Sequence, residues 1–495
     1  MSREALRVAV VGRDADLWLT ASVLGRALGS TGVRVIAIEM PSRVPAGHVT
    51  ATLPPIEALH EKLKIEEASL LRTTRGSFSF GQNVVAPGRQ AFFHAWGAYG
   101  ASIDGNPFFQ CWLRAVRSGL SVPLQGFCPS AIAATNGRML LPDDATVAFG
   151  RTDYGYHLNT LAYLALLKSL SAAAGVVLHR TSRITVQRGA DGDIAALLLD
   201  DSTAIKADLF VDATRESSLL ASEALEVPRT SWQAHFPADR ALSSAAPAFT
   251  AIPPFAEIRI TPLGLAVLHP TQSATGVVFA FSSRQMSDEV AAEQASRSSG
   301  AALRDVAFSS LKPGVLTRCW ERNCIAVGAA ACSVDPVHDV EMHVLQLGIV
   351  HLLSLFPVSG HFDAERLEYN RLMRSHYDRL RDFQIAFYHC APFSGDFWAQ
   401  HPTLDASEAL ADRIAIYKAR ALIAPMENES FSSESWEAVL LGLGVVPEGW
   451  SPAINAISWQ RLNDEFGRML QFVRAKVLEQ PMHGAYLDSL CASGA

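Results

Sequence analysis

The sequence predicts an α/β protein that starts with a Rossmann-like βαβ unit, continues with a β-rich middle part and ends in helices. Three observations predict this order. Residues 6–39 contain two short apolar runs on either side of a segment with helical spacing. Residues 256–283 alternate between apolar and polar side chains, as the strands of a half-buried sheet do. The segments 363–390, 405–422 and 456–493 have a mostly helical pattern.

The first unit follows directly from these patterns. Residues 6–11 are apolar and end at a glycine, which is typical of a buried parallel strand. Residues 16–29 carry apolar side chains at helical spacing, and we expect Asp14 or Asp16 to cap the N terminus of this helix. Residues 33–39 form the second strand-like run. Strand, turn, helix and strand within about thirty residues open a dinucleotide-binding type of fold.

The middle of the chain has weaker but regular signals. The pattern predicts helices at 53–71, 157–175 and 341–356, strands at 76–85, 192–199 and 207–213, and a polar loop at 427–435. No internal repeat and no low-complexity linker interrupts this order.

Composition limits the classes of protein to which the chain can belong. A length of 495 residues exceeds what one core usually holds, and 49% hydrophobic with 18% charged residues is typical of a globular protein. The net charge of −7, without a long basic run, argues against nucleic-acid binding. Seven cysteines without CxxC spacing indicate reduced thiols, and the apolar run at 6–11 is too short for a signal peptide or membrane span. We therefore expect a cytoplasmic protein without a membrane segment.

Several stretches resemble one family in sequence and in order. FFHAWGAYG at 92–100 resembles the F-x-H-x-x-G-x-x-G segment of flavin-dependent tryptophan halogenases. ADLFVDAT at 207–214 resembles their second flavin-side strand, and RCWERNCIAVGAAACSVDP at 318–336 resembles the tract that runs into their halide site. Three further segments resemble their C-terminal lobe: RDFQIAFYH at 381–389, GDFW at 395–398 and SWEAVLLGLGVVP at 435–447. On these motifs the chain is identified as a degenerate member of that family.

The resemblance implies a glutathione-reductase-type, FAD-binding Rossmann-like domain with a substrate-covering β-sheet and a C-terminal helical lobe. Residues 1–360 are expected to form the core, with the substrate sheet inserted at about 85–150 and 225–310, and residues 361–495 the lobe. The resemblance also implies an aromatic substrate and reduced FAD supplied by a separate flavin reductase.

The glycine turn after the first strand departs from the family pattern. The G-x-G-x-x-G motif allows the backbone to approach the cofactor pyrophosphate, and here only Gly12 remains in Gly-Arg-Asp-Ala-Asp-Leu. Asp14 and Asp16 stand where a dianion would bind. A like-charge contact at about 4 Å costs roughly 1 kcal/mol in water and about 4 kcal/mol at an effective dielectric near 20. We expect weak or lost FAD binding; the alternative is that Arg13 binds a phosphate.

Other cofactor-side positions are assigned through the resemblance alone. Glu39, at the end of the second strand, matches the acidic residue that binds the ribose hydroxyl. Asp212, Gly328 and Pro336 match positions along the flavin. Arg215 replaces a glycine of the family near the cofactor.

The residues that halogenation requires are replaced. The lysine that carries the halogen in the family corresponds to Ser79, and a hydroxyl cannot form a chloramine. The catalytic glutamate corresponds to His338, and the residues around the halide correspond to Asp339, Val340 and Glu341. Two added carboxylates repel an anion, so we expect neither chloride binding nor catalytic residues of the family kind.

A metal site is not expected at this junction either. The acidic and histidine side chains there are Asp335, His338, Asp339, Glu341 and His343. Their spacing does not place three ligands on one face, and a helix start capped by Asp339 explains them without a metal. The tryptophans of the family's W-x-W-x-I-P tract are replaced by aliphatic residues at 264–270.

Two functional hypotheses follow. In the first, the protein does not halogenate by the family mechanism and instead binds an aromatic small molecule or a peptide-borne aromatic, or acts as the partner of an active paralogue. In the second, it is an active FAD-dependent halogenase or monooxygenase with rearranged groups, for example His338 as acid–base. Lys62 and Lys64 are the less favoured replacements for the lost lysine. The aliphatic C-terminal helices are compatible with a homodimer.

Overall fold

The computed structural model describes residues 6–142, 151–357, 362–399 and 406–492. Its helices are α1 (Asp14–Leu28), α2 (Glu57–Leu63), α3 (Glu67–Thr74), α4 (Phe108–Arg117), α5 (Pro129–Thr135), α6 (Thr160–Ala173), α7 (Asp288–Ser299), α8 (Glu341–Ser354), α9 (Asp363–His389), α10 (Glu408–Arg420), α11 (Ser433–Gly442), α12 (Trp459–Glu479) and α13 (His483–Ala492).

The strands are β1 (Arg7–Gly12), β2 (Arg34–Glu39), β3 (Val49–Ala51), β4 (Ser77–Ser79), β5 (Gly81–Val85), β6 (Phe92–Ala95), β7 (Gly155–Asn159), β8 (Val177–Arg180), β9 (Ile184–Arg188), β10 (Ile194–Leu199), β11 (Ala204–Ile205), β12 (Leu209–Ala213), β13 (Arg229–Ser231), β14 (Arg240–Pro247), β15 (Ala256–Thr261), β16 (Gly264–Pro270), β17 (Ala274–Phe281), β18 (Arg304–Ser310), β19 (Gly314–Leu316), β20 (Trp320–Glu321), β21 (Cys324–Ala326) and β22 (Cys332–Ser333).

A six-stranded sheet in the order β20-β21-β12-β1-β2-β8 forms the Rossmann-like part. All its neighbours pair in parallel except β20 and β21. Helix α1 follows β1 and packs against α6 and β2. Because the carboxyl ends of parallel strands meet at one edge, the turns after β1, β2, β12 and β21 lie together there. The α/β class and the first βαβ unit are confirmed.

A second, seven-stranded sheet has the order β18-β14-β17-β16-β15-β5-β6. Its pairs are antiparallel except β15 with β5, which joins an early segment of the chain to a later one. These strands lie in or beside the two ranges expected for the substrate sheet. The assignment of that insertion and of the domain boundaries remains a prediction, and residues 143–150 and 361 lie outside the described part.

Local boundaries differ from the predicted ones for identifiable reasons. The helix predicted at 53–71 is two helices, since Lys64 ends α2 in the left-handed conformation. The helix predicted at 157–175 begins only at Thr160, where the Asn159 side chain caps it, and the preceding residues form β7. The strand at 76–85 breaks at Phe80, and β5 begins at Gly81, whose backbone lies so close to β6 that a Cβ would be 2.1 Å from the His94 carbonyl oxygen.

Helices α9 to α13 form the C-terminal part and pack on the core through buried aromatic side chains such as Phe383, Phe387 and Trp436. The polar loop predicted at 427–435 ends at Ser432, whose side chain caps α11. Of the helices the structure describes, none is both long and apolar enough to cross a lipid bilayer.

Candidate functional site: a charged cofactor cleft and an aromatic cavity

The turn between β1 and α1 keeps its first glycine because the strands pack closely there. A Cβ on Gly12 would lie 2.1 Å from the carbonyl oxygen of Ala213. Arg13 is buried and donates to the Pro41 carbonyl oxygen at 3.2 Å, so its guanidinium lies along the end of β2. Asp14 has a φ of 57° and accepts a hydrogen bond from the Arg43 amide at 3.1 Å. Burial, followed by the nearby Arg43 charge, lowers the pKa of Arg13.

The Asp16 side chain extends from α1 to the turn after β21. It is 4% exposed; Oδ1 accepts from the Ala329 amide at 3.0 Å, and Oδ2 pairs with Arg215 at 3.0 Å. Gly328 has a φ of 56°, and a Cβ there would lie 2.1 Å from Asp16 Oδ1. The prediction that Asp14 or Asp16 caps α1 was wrong, because both carboxylates accept from amides elsewhere and Arg13 is the capping position.

Arg215 links Asp16 to the start of α8. Its Nη2 lies 2.6 Å from Glu341 Oε1 and 3.3 Å from Glu216 Oε1. We call Asp16, Arg215 and Glu341 the ionic clasp. Burial raises the pKa of Asp16 to about 7, with Arg215 acting against this shift, whereas Arg215 lowers the pKa of the more exposed Glu341. The clasp therefore brings one cation and two acids together at the edge where the sheet's turns meet.

Glu39 lines a cavity of about 390 Å³ beside β2 and β8. Its carboxylate lies 2.5 Å from Lys168 Nζ and 3.1 Å from Arg180 Nε, and Trp18 Nε1 donates to it at 3.3 Å. Burial raises the pKa of Glu39, but Lys168 and Arg180 more than offset this effect, so the pKa is lowered overall. Glu39 is thus a charged carboxylate at the predicted ribose position with two cations already bound to it.

Asp212 is fully buried and has a different set of contacts. Its carboxylate accepts from the Thr214 amide and hydroxyl at 3.0 and 2.7 Å and from the amides of Leu220 and Ala221 at 2.8 and 2.9 Å. These four bonds organise the turn that follows β12. Pro336, the last of the predicted cofactor residues, begins the short turn that leads to His338.

The residues at this edge do not fit a dinucleotide diphosphate. Such a group needs amide donors at the start of α1 and in the turn after β21. The Ala329 amide instead donates to Asp16, and the charge of Arg215 is balanced by Asp16 and Glu341. Arg13 donates toward Pro41. The framework of a dinucleotide site is present, but its lining carries acids in place of donors.

Ser79 ends β4 and is buried. Its main chain pairs with Gly155 of β7, and its Oγ donates to the Gly81 carbonyl oxygen at 3.3 Å. The side chain is 2% exposed within a sheet and offers a single hydroxyl. Lys62, on α2, and Lys64, just after that helix, are both exposed.

His338 is buried with a φ of 70° on the turn before α8. Its Nδ1 lies 3.1 Å from Gln82 Oε1, and its ring packs 4.8 Å from the ring of Phe383 and 5.2 Å from that of Phe387, measured between centroids. Within the described residues its Nε2 has no hydrogen-bond partner. Burial lowers the pKa of His338 to about 3, so the imidazole is neutral at physiological pH.

Asp339 connects His338 to the second sheet. Oδ2 accepts from Gln82 Nε2 and Oδ1 lies by His269 Nε2, both at 2.7 Å. Burial raises the pKa of Asp339, but His269 and Gln82 outweigh it, so the pKa is below its usual value. The expectation that Asp339 caps the next helix was wrong, since Val340 holds that position. We call His338, Gln82, Asp339 and His269 the buried network.

An aromatic cavity of about 650 Å³ lies between the core and the loop before α11. Trp96, Phe431 and Trp436 provide its aromatic surface, and the charged side chains in its lining are Arg151, Asp153 and Glu429. The described residues that line it include neither Ser79 nor His338. The Phe431 ring, which lines the cavity, stacks on Phe383 with 3.9 Å between centroids, and its centroid lies 6.1 Å from that of the His338 ring, so one aromatic ring separates the cavity from the imidazole.

Sequence reasoning missed this cavity as a site, although it selected the SWEAVLLGLGVVP segment to which Trp436 belongs. A tryptophan close to a polar, serine-rich loop was the available signal. In the described ranges no group of three or more histidine, cysteine, aspartate or glutamate side chains is arranged to bind a metal ion.

Comparison with known proteins places this geometry in a family. Residues 7–458 match the family model described as tryptophan halogenase. The chain is 24% identical over 501 residues to tryptophan 7-halogenase RebH from Lentzea aerocolonigenes, with 92% of each protein covered.

Two solved structures are similar over nearly their whole length. The flavin-dependent halogenase Xcc4156 from Xanthomonas campestris has a TM-score of 0.93 at 29% identity, covering 99% of both chains. The flavin-dependent halogenase BrvH from Brevundimonas sp. BAL3 has a TM-score of 0.92 at 25% identity, covering 98% of this chain and 99% of its own. The predicted resemblance and fold are confirmed, and the chain belongs to the tryptophan halogenase family.

Proposed function

We propose that the protein binds an aromatic ligand in the aromatic cavity, binds FAD weakly or not at all, and does not halogenate by the mechanism of its family. The observation that carries this proposal is the lining of the cavity, from which Ser79 and His338 are both separated. The ligand is a small aromatic molecule or an aromatic side chain of a peptide.

The cavity suits such a ligand in size and chemistry. Its volume of about 650 Å³ lies within the range of small-molecule sites. Ring contacts with Trp96, Phe431 and Trp436 add roughly 0.5–1.5 kcal/mol each beyond the burial of apolar area. Arg151 pairs with Asp153 at 2.5 Å, which leaves polar atoms at the wall for orienting the ligand. The names of the relatives, tryptophan halogenases, point to an indole as the first ligand to test.

The groups that would carry the chemistry are unsuitable. A serine hydroxyl has no amine lone pair with which to form a chloramine, and the Ser79 hydroxyl donates inside a sheet. His338 is neutral and faces aromatic rings rather than the cavity. General acid–base catalysis requires the group to lie within hydrogen-bond reach of the reacting atom, whereas the Phe431 ring lies between His338 and the cavity.

One observation favours the competing function, an FAD-dependent halogenase or monooxygenase with rearranged groups and a separate reductase. The buried Asp339–His269 pair, at 2.7 Å, is the kind of carboxylate–imidazole arrangement that enzymes use for proton transfer. Asp339 lies on the turn before α8 and His269 lies in β16, and neither residue lines the cavity. Under the first function, an active paralogue is the partner to seek instead of a reductase.

A ligand titration without flavin tests the binding proposal. Trp96 and Trp436 report on the cavity through intrinsic fluorescence, so indole, L-tryptophan, phenol and a tryptophan-free tyrosine peptide can be compared by quenching and calorimetry. The variant Trp436→Phe should remove part of the quenching signal. Trp459→Phe, a change at a 40% exposed tryptophan elsewhere, is the matched control and should leave it unchanged.

Halogenation is then assayed with FAD, a flavin reductase, NADH and bromide on the ligand that binds. We expect no brominated product by mass spectrometry. Stoichiometric FAD binding together with a brominated product would overturn the proposal and establish the competing function. Failure of every aromatic probe to bind would also overturn it.

A further inference from the structure

We propose that the ionic clasp is a built-in substitute for the cofactor diphosphate, holding the turns of the cleft together while excluding a bound dinucleotide. The inference rests on the proposed weak FAD binding and names the residues responsible. It concerns the protein's own charges in a cleft that other family members use for flavin.

The clasp joins four separate parts of the chain. Asp16 lies in the first turn of α1, Arg215 follows β12, the Ala329 amide follows β21, and Glu341 starts α8. Asp16 and Ala329 are 313 residues apart in sequence. A group that bridges these turns holds the sheet edge closed, which is the mechanical role that a diphosphate has when amides from two turns donate to it.

The backbone is adapted to the clasp. Gly328 is left-handed at a φ of 56°, and its missing side chain leaves the space that Asp16 Oδ1 enters. Arg215 is also left-handed, at a φ of 62°, in a region that residues with a Cβ avoid. This conformation directs the guanidinium to Asp16 on one side and Glu341 on the other. The glycine expected to contact a cofactor thus accommodates a carboxylate of the chain itself.

The charges explain the exclusion. A diphosphate entering the cleft meets the carboxylates of Asp14, Asp16, Glu216 and Glu341. Arg215 is already paired with Asp16 and Glu341, and Arg13 donates to the Pro41 carbonyl oxygen. Like charges at contact repel strongly in a site with low effective dielectric. None of these four acids lines the Glu39 cavity. Their charges therefore repel the diphosphate of a dinucleotide rather than its nucleoside part.

A double and a triple variant separate the two roles. Asp16→Asn with Arg215→Met removes one charge of each sign while keeping the volumes and leaving an amide oxygen for Ala329. Adding Asp14→Gly removes another acid at a left-handed residue, where glycine is favoured. We expect FAD and ADP to bind the triple variant at least tenfold more tightly than the native protein in a fluorescence or calorimetric titration, whereas adenosine affinity changes less than twofold.

Thermal denaturation tests the holding role. Arg215→Met alone leaves Asp16 buried without its cation and should lower Tm more than the Asp16→Asn/Arg215→Met pair does. If a multiple variant does not fold, Glu341→Gln at the exposed end of the clasp serves instead. This variant should bind ADP at least twofold more tightly than the native protein does.

The inference is overturned if the native protein binds FAD stoichiometrically, if the triple variant binds ADP no more tightly than the native protein, or if Arg215→Met is as stable as the pair. The aromatic-ligand titration contains no flavin, so it reports on the proposed binding function separately. Tight FAD binding with normal indole binding removes the clasp inference and leaves the cavity proposal in place.

Discussion

The cofactor cleft and the aromatic cavity differ in whether the protein's own side chains fill the enclosed space. At the cleft, side chains from distant parts of the chain meet one another: Asp16 pairs with Arg215 and takes the Ala329 amide. At the cavity, Trp96 and Trp436 stand around about 650 Å³ of open volume. The backbone framework of both sites is present. Under the proposals above, the chain's own charges close the cofactor cleft, whereas the aromatic cavity is open to a ligand.

The boundary between the two regions consists of the buried network and its neighbouring histidines. His94 packs beside His338, and His157 packs beside His269, with ring centroids 5.6 and 5.3 Å apart. Burial lowers the pKa of His94, His157 and His338, so these three imidazoles are neutral. Each of the following predictions tests some part of the comparison between the cleft and the cavity.

The largest expected effect is acid destabilisation. Burial lowers the pKa of His157 and His338 to about 3 and of His48 to about 4, and lowers that of His94 well below its usual 6.5. The unfolded chain therefore binds protons that the folded chain does not. The contribution of these four histidines is complete above pH 6.5 and falls as the pH drops toward 4, by about 1.4 kcal/mol per pH unit for each. Burial raises the pKa of Asp16 to about 7 and of Asp335 to about 6, which offsets the slope of about two of the histidines.

Urea unfolding at pH 7, 6 and 5 measures this slope. His157→Gln should reduce it, whereas His179→Gln, on a partly exposed strand, is the control. A stability that does not change between pH 7 and 5 would mean that the boundary is hydrated and that the two regions are not separated as described.

The next effect concerns the cleft. Gly328→Ala places a Cβ 2.1 Å from Asp16 Oδ1 at a φ of 56° and should cost about 3 kcal/mol, from overpacking and left-handed strain together. Gly32→Ala has a φ of 86° with open space around it and measures the strain alone, at about 1 kcal/mol. Denaturant unfolding of both variants checks the difference, and equal costs would show that the carboxylate does not occupy this space.

A smaller effect is expected at the cavity wall. Phe431→Leu removes the ring that stacks on Phe383 at 3.9 Å and should weaken binding of indole by about 1 kcal/mol, roughly fivefold, through loss of ring contact. Calorimetry with the native protein and with Leu422→Ala, a partly exposed position outside the cavity lining, provides the comparison. Unchanged affinity would place the ligand elsewhere.

The smallest expected effect is a failure of rescue. Ser79→Lys with His338→Glu introduces the residue types that the resemblance assigns to these positions but leaves the cleft charged and the Phe431 ring in place. Bromination of indole should remain undetectable with FAD and a reductase, and near-UV circular dichroism should verify that the variant is folded. Bromination by this variant alone would show that the cleft is not the deeper obstacle.

Much of the framework could be predicted from local pattern. The β1–α1–β2 unit, the sheet at 256–283 and the helices near 341–356 and 363–390 follow from apolar periodicity. Helix boundaries were less predictable. Lys64 ends α2 in a left-handed conformation that a lysine does not predict. Asn159 caps α6, and the residues before it are compatible with a helix as well as with a strand.

The site was only partly predictable. The sequence identified the acidic turn at Asp14 and Asp16, the bulk of Arg215 and the changed residues Ser79 and His338. It assigned to Asp16 a local capping role because capping is the commonest use of an aspartate at a helix start. The actual partner, the Ala329 amide, is separated from it by most of the chain.

The sequence by itself determined the fold class and the family, since these depend on periodicity and residue identity at matched positions. The replacement of the family's lysine and glutamate by Ser79 and His338 stays a prediction. Only the tertiary structure decided where the remaining charges go and which side chains enclose the ligand cavity. The physical reason is that a strand or helix depends mainly on neighbours in the chain, whereas a carboxylate needs a donor or cation wherever folding brings one within about 3 Å. Asp16 finds both in turns far along the chain.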